Sequence, residues 1–185
     1  MSNGWKTLEG QVVDDIYDEV VKEHHKSKMS NGLLFAYIAT DSQNIGQRGT
    51  SFVQCLVLHK FNDCAIGNGA RVYYIKHMEQ RYKNRQRRLL REAELSINLT
   101  QKLEPLLTEF GIEFEVHADV NSYAGDHGQN KSHDVHDSVK GWIESFGWKC
   151  KTKPHAWAAA IVADRHTKGR KARKQRPFNG RRKVV

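Results

Sequence analysis

The order in which strand-type and helix-type segments occur is the feature that most constrains the fold of this chain. Three segments rich in apolar, β-branched and aromatic residues come first, at residues 33–40, 51–60 and 70–76. Helix-type and strand-type patterns then alternate, at residues 79–102, 112–120, 132–146, 148–153 and 155–165. Consecutive strands indicate an antiparallel meander, and strands joined through helices are added in parallel. The sequence therefore predicts an α/β fold in which helices flank a five-stranded mixed sheet.

The two ends of the chain lie outside this pattern. Apolar residues spaced three and four apart predict an additional helix over residues 10–26, which Ser30, Asn31 and Gly32 would end. Residues 1–30 are therefore expected to form an N-terminal helical extension, and residues 31–168 the α/β domain. Residues 169–185 are a basic, low-complexity tail that we expect to be disordered.

Composition limits the class of protein. No uninterrupted apolar run approaches the roughly 20 residues that a membrane-spanning helix needs, and the first ten residues lack the apolar core of a signal peptide. The three cysteines form no CxxC pair, which argues against a disulfide framework and against a zinc knuckle. We therefore expect a cytoplasmic protein that does not enter a membrane.

The positive charge of the chain is concentrated near its end. The net charge is +9, but the ten Lys and Arg residues after position 164 have no Asp or Glu among them, and the first 164 residues have a net charge of −1. A second basic cluster, RYKNRQRRLLR at residues 81–91, begins the long helix. These clusters favour contact with the phosphates of a nucleic acid, which would weaken as salt rises. The alternatives are a merely solubilising tail and contact with an anionic membrane surface.

Four acidic residues lie at the ends or margins of apolar segments, far apart in the sequence: Asp41, Glu92, Asp119 and Asp164. Acids in such places resist desolvation and repel one another unless cations compensate. Mg²⁺ or Mn²⁺ would do so, and two ions about 4 Å apart would activate a water for phosphodiester hydrolysis. Three of these acids also have a structural explanation when taken singly. Asp41 would be a helix-cap or turn residue, Glu92 part of a solvated helix face, and Asp164 an ion-pair partner of Arg165 or Lys168.

Several motifs make the chain resemble a known family. They are IATDSQ at residues 38–43, RLLREAELS at 88–96, VHADVN at 116–121, KSHDVHDSVKGWIESFGWKCKTKP at 131–154 and AWAAAIVADRHTK at 156–168. In these motifs the chain is similar to the YkuK family of ribonuclease H-like proteins, which are predicted nucleases. The resemblance implies a ribonuclease H-like fold over about residues 33–168. It also implies that the acidic metal site of that superfamily falls on Asp41, Glu92, Asp119 and Asp164, with Glu94 as the alternative to Glu92.

Further residues near these motifs are candidates for catalysis or phosphate binding. His166, two residues after Asp164, would assist proton transfer or product release, or would simply contact a phosphate or solvent. The candidate nucleic-acid-binding residues come from the second basic cluster, the region before residue 133 and the tail: Arg87, Arg88, Lys131, Ser132, Lys168, Arg170, Lys171, Arg173 and Lys174. Ser132 has an alternative role as a helix N-cap. His127, His133 and His136 lie among three Asp residues and leave a zinc site as an alternative.

Together these features predict a metal-dependent nuclease that hydrolyses phosphodiester bonds by a two-metal mechanism. RNA, an RNA–DNA hybrid and structured DNA are all open as substrates. The alternative is a non-catalytic nucleic-acid-binding protein on the same fold, because a fold alone does not determine function. In that case the acids are remnants and the basic tail carries the binding. A metal-binding scaffold is a third interpretation.

Overall fold

The computed structural model describes residues 4–62, 64–124 and 132–158. These residues contain seven β-strands: β1 (Trp5–Thr7), β2 (Val12–Val13), β3 (Leu33–Asn44), β4 (Thr50–Phe61), β5 (Gly67–Glu79), β6 (Glu113–Asn121) and β7 (Cys150–Lys153). They also contain three α-helices: α1 (Ile16–Met29), α2 (Arg85–Glu109) and α3 (His136–Glu144). Two short 3₁₀ helices lie at Gly46–Arg48 and His133–Val135.

One mixed sheet contains all of these strands, in the order β2-β1-β5-β4-β3-β6-β7. Strands β3, β4 and β5 form an antiparallel meander. Helix α2 then carries the chain across to β6, which is parallel to β3, and β7 is parallel to β6. The predicted mixed α/β architecture is therefore confirmed, and the three consecutive strand-type segments are its meander.

The predicted count of five strands is wrong, because the N-terminal region adds two short strands to the sheet. β1 pairs with β5, and β2 pairs with β1, both in the antiparallel direction. The helix predicted over residues 10–26 begins only at Ile16. Asp15 has extended backbone angles, and its side chain accepts a hydrogen bond from the N–H of Tyr17 at 2.7 Å. Asp15 thus caps the helix and leaves β2 outside it. Strands of two or three residues are too short to show a period of two in a sequence.

Helix α2 begins later than the helix predicted over residues 79–102 and extends further. β5 continues to Glu79, and α2 begins after Asn84, whose Oδ1 accepts a hydrogen bond from the N–H of Arg87 at 3.1 Å. Pro105 lies inside the helix rather than at the start of a separate one.

Neither α2 nor any other helix in the described part of the chain is long and apolar enough to cross a membrane.

Helices cover one face of the sheet, and most of the core lies there. α1 and α2 pack over a cluster that includes Ile38 and Leu103. α2 and α3 pack over a second cluster that includes Val116 and Ile143. α2 contributes side chains to both clusters, so it is the helix that joins the two halves of this face.

The opposite face of the sheet carries a smaller apolar cluster. Ala39, Cys55 and Tyr74 belong to it, and Ala158 packs against them. The backbone N–H of Ala158 donates a hydrogen bond to Nδ1 of the buried His117 at 3.2 Å. Ala158 lies within the last predicted helix, over residues 155–165. Residues 155–157 are not helical, so the predicted start is wrong, and residues 159–165 lie outside the described residues.

Candidate acidic site

Two of the predicted metal ligands lie on neighbouring strands. β3 and β6 are parallel, and their register pairs Ala39 with His117. The same offset, continued by two residues, brings Asp41 beside Asp119. Because side chains alternate along a strand, both acids belong to the face on which Ala158 packs. The topology therefore brings together two carboxylates that are far apart in the sequence.

Asp41 does not lie in a turn. β3 continues to Asn44, and Asp41 is paired with Val53 of β4 across the antiparallel ladder. The strand predicted over residues 33–40 therefore ends too early, and only residues 45–49 connect β3 to β4. The polar residues 41–44 belong to β3 because the ladder pairs them with β4. The side chain of Asn44 also accepts a hydrogen bond from Oγ1 of Thr50 at 2.6 Å. The turn explanation of Asp41 is excluded.

Glu92 lies on α2, which packs on the helical face of the sheet, and it interacts through its charge with Asp41 and Asp119. It is only 5% exposed, and its Oε1 accepts a hydrogen bond from Oγ of Ser42 at 2.5 Å. Glu92 therefore does not belong to a solvated helix face. Glu94 is more exposed and forms an ion pair with Arg91 at 2.9 Å. Of the two glutamates, Glu92 is the one whose charge interacts with those of Asp41 and Asp119.

Burial and, to a lesser extent, neighbouring acids raise the pKa values of two members of the site. Burial is the largest cause of the raised pKa of Asp41, about 6, and the charge of Asp119 adds to it. The pKa of Glu92 is raised to about 8, first by burial and then by the charge of Asp41. The hydrogen bond from Ser42 and the charge of Arg88 lower the pKa of Glu92, but each has a smaller effect. Ionising Asp41 and Glu92 in this place costs free energy that a bound cation would relieve.

Two cationic side chains already face the acids. Lys153, at the end of β7, has its Nζ 2.6 Å from Oδ1 of Asp119. Arg88, near the start of α2, donates a hydrogen bond from Nη1 to the carbonyl oxygen of Ser42 at 3.5 Å. Sequence reasoning missed Lys153, because only the pairing of β7 with β6 brings it to Asp119. The sequence signal that could have indicated this contact is the position of Lys153 at the end of a strand predicted to be parallel.

The donor set suits a hard divalent cation. Asp41, Glu92 and Asp119 offer only carboxylate oxygens, which Mg²⁺ and Mn²⁺ accept. Even so, in the described residues no three His, Cys, Asp or Glu side chains converge as a ready-made metal site. Oxygens of Asp119 and Glu92 are instead engaged by Lys153 and Ser42. The other predicted catalytic residues, Asp164 and His166, lie outside the described residues.

The start of α2 exposes part of the second basic cluster. Arg87 is exposed there and lines a cleft of about 630 Å³ together with Arg81 and Lys83. Arg88, the other predicted nucleic-acid-binding residue of this cluster, is partly buried and turns towards the acids instead. The cleft and the acidic site therefore lie on the same end of one helix.

Ser132 occupies neither of its two predicted roles. It is fully buried, and its Oγ accepts hydrogen bonds from the backbone nitrogen and from Nδ2 of Asn121, at 3.1 and 2.9 Å. It makes no side-chain cap to the helix that follows, and it is not free to bind a phosphate. The remaining predicted nucleic-acid-binding residues lie outside the described residues: Lys131, Lys168, Arg170, Lys171, Arg173 and Lys174.

The histidine-rich segment does not support the zinc alternative in the part that the structure describes. Nδ1 of His136 lies 2.8 Å from Oδ1 of Asp137, and its Nε2 lies 3.1 Å from Oγ1 of Thr152. Both ring nitrogens of His136 are thus engaged by neighbouring side chains. His127 lies outside the described residues.

Comparison with known proteins agrees with this architecture. A family model with the description Ribonuclease H-like matches residues 11–168, which is most of the chain and includes the positions of all four predicted metal ligands. The match is to this broad family and does not distinguish the YkuK family within it. No curated protein and no solved structure matches the chain.

Proposed function

Since the chain belongs to the ribonuclease H-like family, we propose that it is a metal-dependent nuclease that hydrolyses phosphodiester bonds in RNA or another nucleic acid. One observation carries the proposal: acidic side chains from β3, α2 and β6 interact at one end of the sheet. Asp41 and Asp119 both raise the pKa of Glu92, although burial has the larger effect. Carboxylates perturbed in this way, by burial together with like charges, are concentrated at functional sites.

The residues that would hold Mg²⁺ or Mn²⁺ are Asp41, Glu92, Asp119 and Asp164. When bound, such ions lower the pKa of a water molecule and offset the charge that develops on the phosphate. The hydrogen bond from Ser42 keeps the Glu92 carboxylate in position. Arg88 adds a positive charge beside the acids, which favours the approach of a phosphate. His166 is proposed to take part in proton transfer or product release.

The proposed substrate is a nucleic acid held mainly through its phosphates. Arg81, Lys83 and Arg87 line the cleft at the start of α2, and the tail after residue 168 adds further positive charge. Such contacts act on any phosphate backbone and do not read the bases. RNA, an RNA–DNA hybrid and structured DNA are therefore the three substrates to compare.

A second candidate function is a non-catalytic nucleic-acid-binding protein on the same fold. The ion pair between Lys153 and Asp119 favours it, because it neutralises one of the acids. The lack of three converging ligands within the described ranges points in the same direction. In this case the basic cleft and the tail carry the whole function.

Substitution of Asp41 by Asn separates the two functions, since it removes the charge and preserves the size of the side chain. With Mg²⁺ or Mn²⁺, the rate of cleavage of labelled RNA, hybrid or DNA should fall by at least about 100-fold. The reason is that loss of a side chain that only hydrogen-bonds to a metal ligand already lowers metal affinity or activity by about 10- to 100-fold. Binding of the same nucleic acids in the presence of a chelator should not change. Asp18→Asn, at an exposed acid in α1, is the matched control and should cleave like the wild type.

Two outcomes would contradict the nuclease proposal. Cleavage by Asp41→Asn at the wild-type rate would remove this acid from the mechanism. A wild-type chain that binds the three nucleic acids but cuts none of them with either metal would favour the non-catalytic function.

A further inference from the structure

Lys153 is the charged group closest to a predicted metal ligand in the part of the chain that is described. Its Nζ lies 2.6 Å from Oδ1 of Asp119, and the Lys153 side chain is 41% exposed. The charge of Lys153 also acts on Asp41, whose pKa it lowers against the larger effects of burial and of Asp119. The ammonium group of Lys153 therefore interacts electrostatically with both Asp119 and Asp41.

The position of Lys153 follows from the sheet. It ends β7, and its register partner in β6 is Asn121, two residues after Asp119. The lysine also lines an open cleft of about 400 Å³ with Asn121, Tyr123 and Pro154. Lys153 thus contacts an acid of the site and also borders a space that solvent and a ligand can enter.

Arg88 does not duplicate this arrangement. Its Nη1 donates to the backbone carbonyl of Ser42, and no ion pair of Arg88 with an acid is formed among the described residues. Of the two cations, Lys153 is the one in direct contact with a carboxylate of the site.

We propose that Lys153 is a built-in cation of the acidic site, and that its ammonium group takes the place of one of two divalent ions at Asp119. The inference rests on the proposed function, because it concerns the same acids. The wild-type chain should therefore bind a single divalent ion at this site. A lysine at this position competes with a second ion both by its charge and by its contact with an oxygen that the ion would need.

Mn²⁺ binding to the full-length protein without nucleic acid tests this inference. Calorimetric titration of the wild type should give one tightly bound Mn²⁺ per chain. Lys153→Met removes the charge and keeps much of the side-chain volume, and it should tighten Mn²⁺ binding by about three- to tenfold, the range for loss of a partly exposed charge beside the site. Lys153→Arg keeps the charge and should bind Mn²⁺ like the wild type.

Lys151→Met is the matched control. Lys151 lies two residues earlier in β7 and is exposed, so its loss changes the net charge of the chain by the same amount. It should leave Mn²⁺ affinity unchanged. Circular dichroism and thermal unfolding of all variants would identify any variant that fails to fold. If Lys153→Met does not fold, the test uses Lys153→Arg. A folded Lys153→Arg chain that binds Mn²⁺ more weakly than the wild type contradicts the inference.

Failure of this inference differs from failure of the proposed function. Two Mn²⁺ ions bound to the wild type, no change in Lys153→Met, or equal tightening in Lys151→Met would each overturn the role of Lys153. If Asp41→Asn binds Mn²⁺ like the wild type, or if no variant binds it, the proposed metal site itself is wrong. A second Mn²⁺ bound by Lys153→Met, but not by the wild type or Lys153→Arg, would support the inference most directly.

Discussion

At the scale of single residues, Glu92 illustrates how the fold holds an acid in an unfavourable place. Its carboxylate accepts a hydrogen bond from Ser42, and Ser96, one turn along α2, donates to Oγ1 of Thr40 at 2.8 Å. Two polar contacts one helical turn apart therefore join α2 to β3, the strand that carries Asp41. The contact between Ser96 and Thr40 involves no acid, so it attaches the helix to the strand independently of the charge on Glu92.

The metal-free protein should lose stability as the pH rises from about 4.5 to about 8. The pKa of Glu92 is raised from 4.5 to about 8 in the folded state, chiefly by burial. The contribution of this group is therefore fully present below pH 4.5 and is lost as the pH rises through the folded pKa. A shift of this size corresponds to a free energy on the order of 4 kcal/mol. Glu92→Gln should remove most of the loss, which denaturant unfolding at pH 5 and pH 8.5 with a chelator would measure.

Glu94→Gln is the control for this prediction, since Glu94 lies two residues away in the same helix and is partly exposed. It should keep the pH dependence of the wild type. Added Mg²⁺ or Mn²⁺ should restore stability at pH 8.5 in the wild type but much less in Glu92→Gln. The same loss of stability in Glu92→Gln as in the wild type would show that another group titrates.

Residues of the site differ in how far the sequence predicts them. The sequence predicted that Asp41 and Asp119 end strand-type segments, but not that these segments are neighbours. β4, β5 and α2 separate β3 from β6 in the chain, so their pairing follows from the arrangement of the whole sheet. Lys153 was not predicted, because its contact depends on the register of β7 against β6, which no short-range pattern specifies. Arg87 and Arg88 differ by about 100° of helix rotation. A sequence-based prediction that is wrong by one residue in the phase of α2 would therefore confuse the arginine that faces solvent with the one that faces the acids.

At the scale of elements, α2 connects the basic cleft with the acidic site. Arg87 and Glu92 are five residues apart, which is about 7.5 Å along the helix axis. Because α2 packs into both core clusters of the helical face, this distance is set by a rigid element. The cap at Asn84 determines where the helix begins and therefore which basic residues face the cleft.

Asn84→Ala should lower the free energy of unfolding by about 1 kcal/mol, the usual value of an N-cap side chain. The reason is loss of the hydrogen bond between Oδ1 of Asn84 and the N–H of Arg87. Asn98→Ala, at an exposed position inside α2, is the matched control and should change stability by less than about 0.5 kcal/mol. Equal effects of the two substitutions in urea unfolding would contradict the capping role.

The ends of elements were harder to predict than their presence. β3 runs four residues beyond the end predicted for it, because the ladder with β4 holds polar residues that resemble a loop in the sequence. β1 and β2 exist only because β5 offers an edge on which β1 can pair. Both features depend on partners distant in the sequence, and tertiary pairing overrides local composition there.

At the scale of the whole molecule, charge is divided between a nearly neutral body and a basic tail. Replacement of the eight Lys and Arg residues in positions 169–185 by Gln should weaken nucleic-acid binding and flatten its dependence on salt. Each lost phosphate contact should reduce the slope of log affinity against log salt by about 0.9 for duplex DNA and about 0.7 for single strands. Binding measured between about 50 and 200 mM salt would determine this slope.

A scrambled tail of the same composition is the control for that experiment. It should keep the wild-type salt dependence, since attraction between phosphates and basic side chains does not depend on the order of the residues. If the Gln variant keeps the wild-type slope, the tail is not the main anchor, and the cleft lined by Arg81, Lys83 and Arg87 would carry the binding.

The N-terminal ribbon of β1 and β2 has a consequence for how copies of the chain meet. β5 has 13 residues; β1 pairs with it at Tyr73 and Tyr74, and the N–H of Leu8 donates to the carbonyl oxygen of Val72 at 3.1 Å. A long free edge is a template on which another chain can add its own strand. By crossing the middle of this edge, the ribbon divides it into two shorter stretches and so opposes self-association. A chain that lacked its first 14 residues would be the form prone to aggregate.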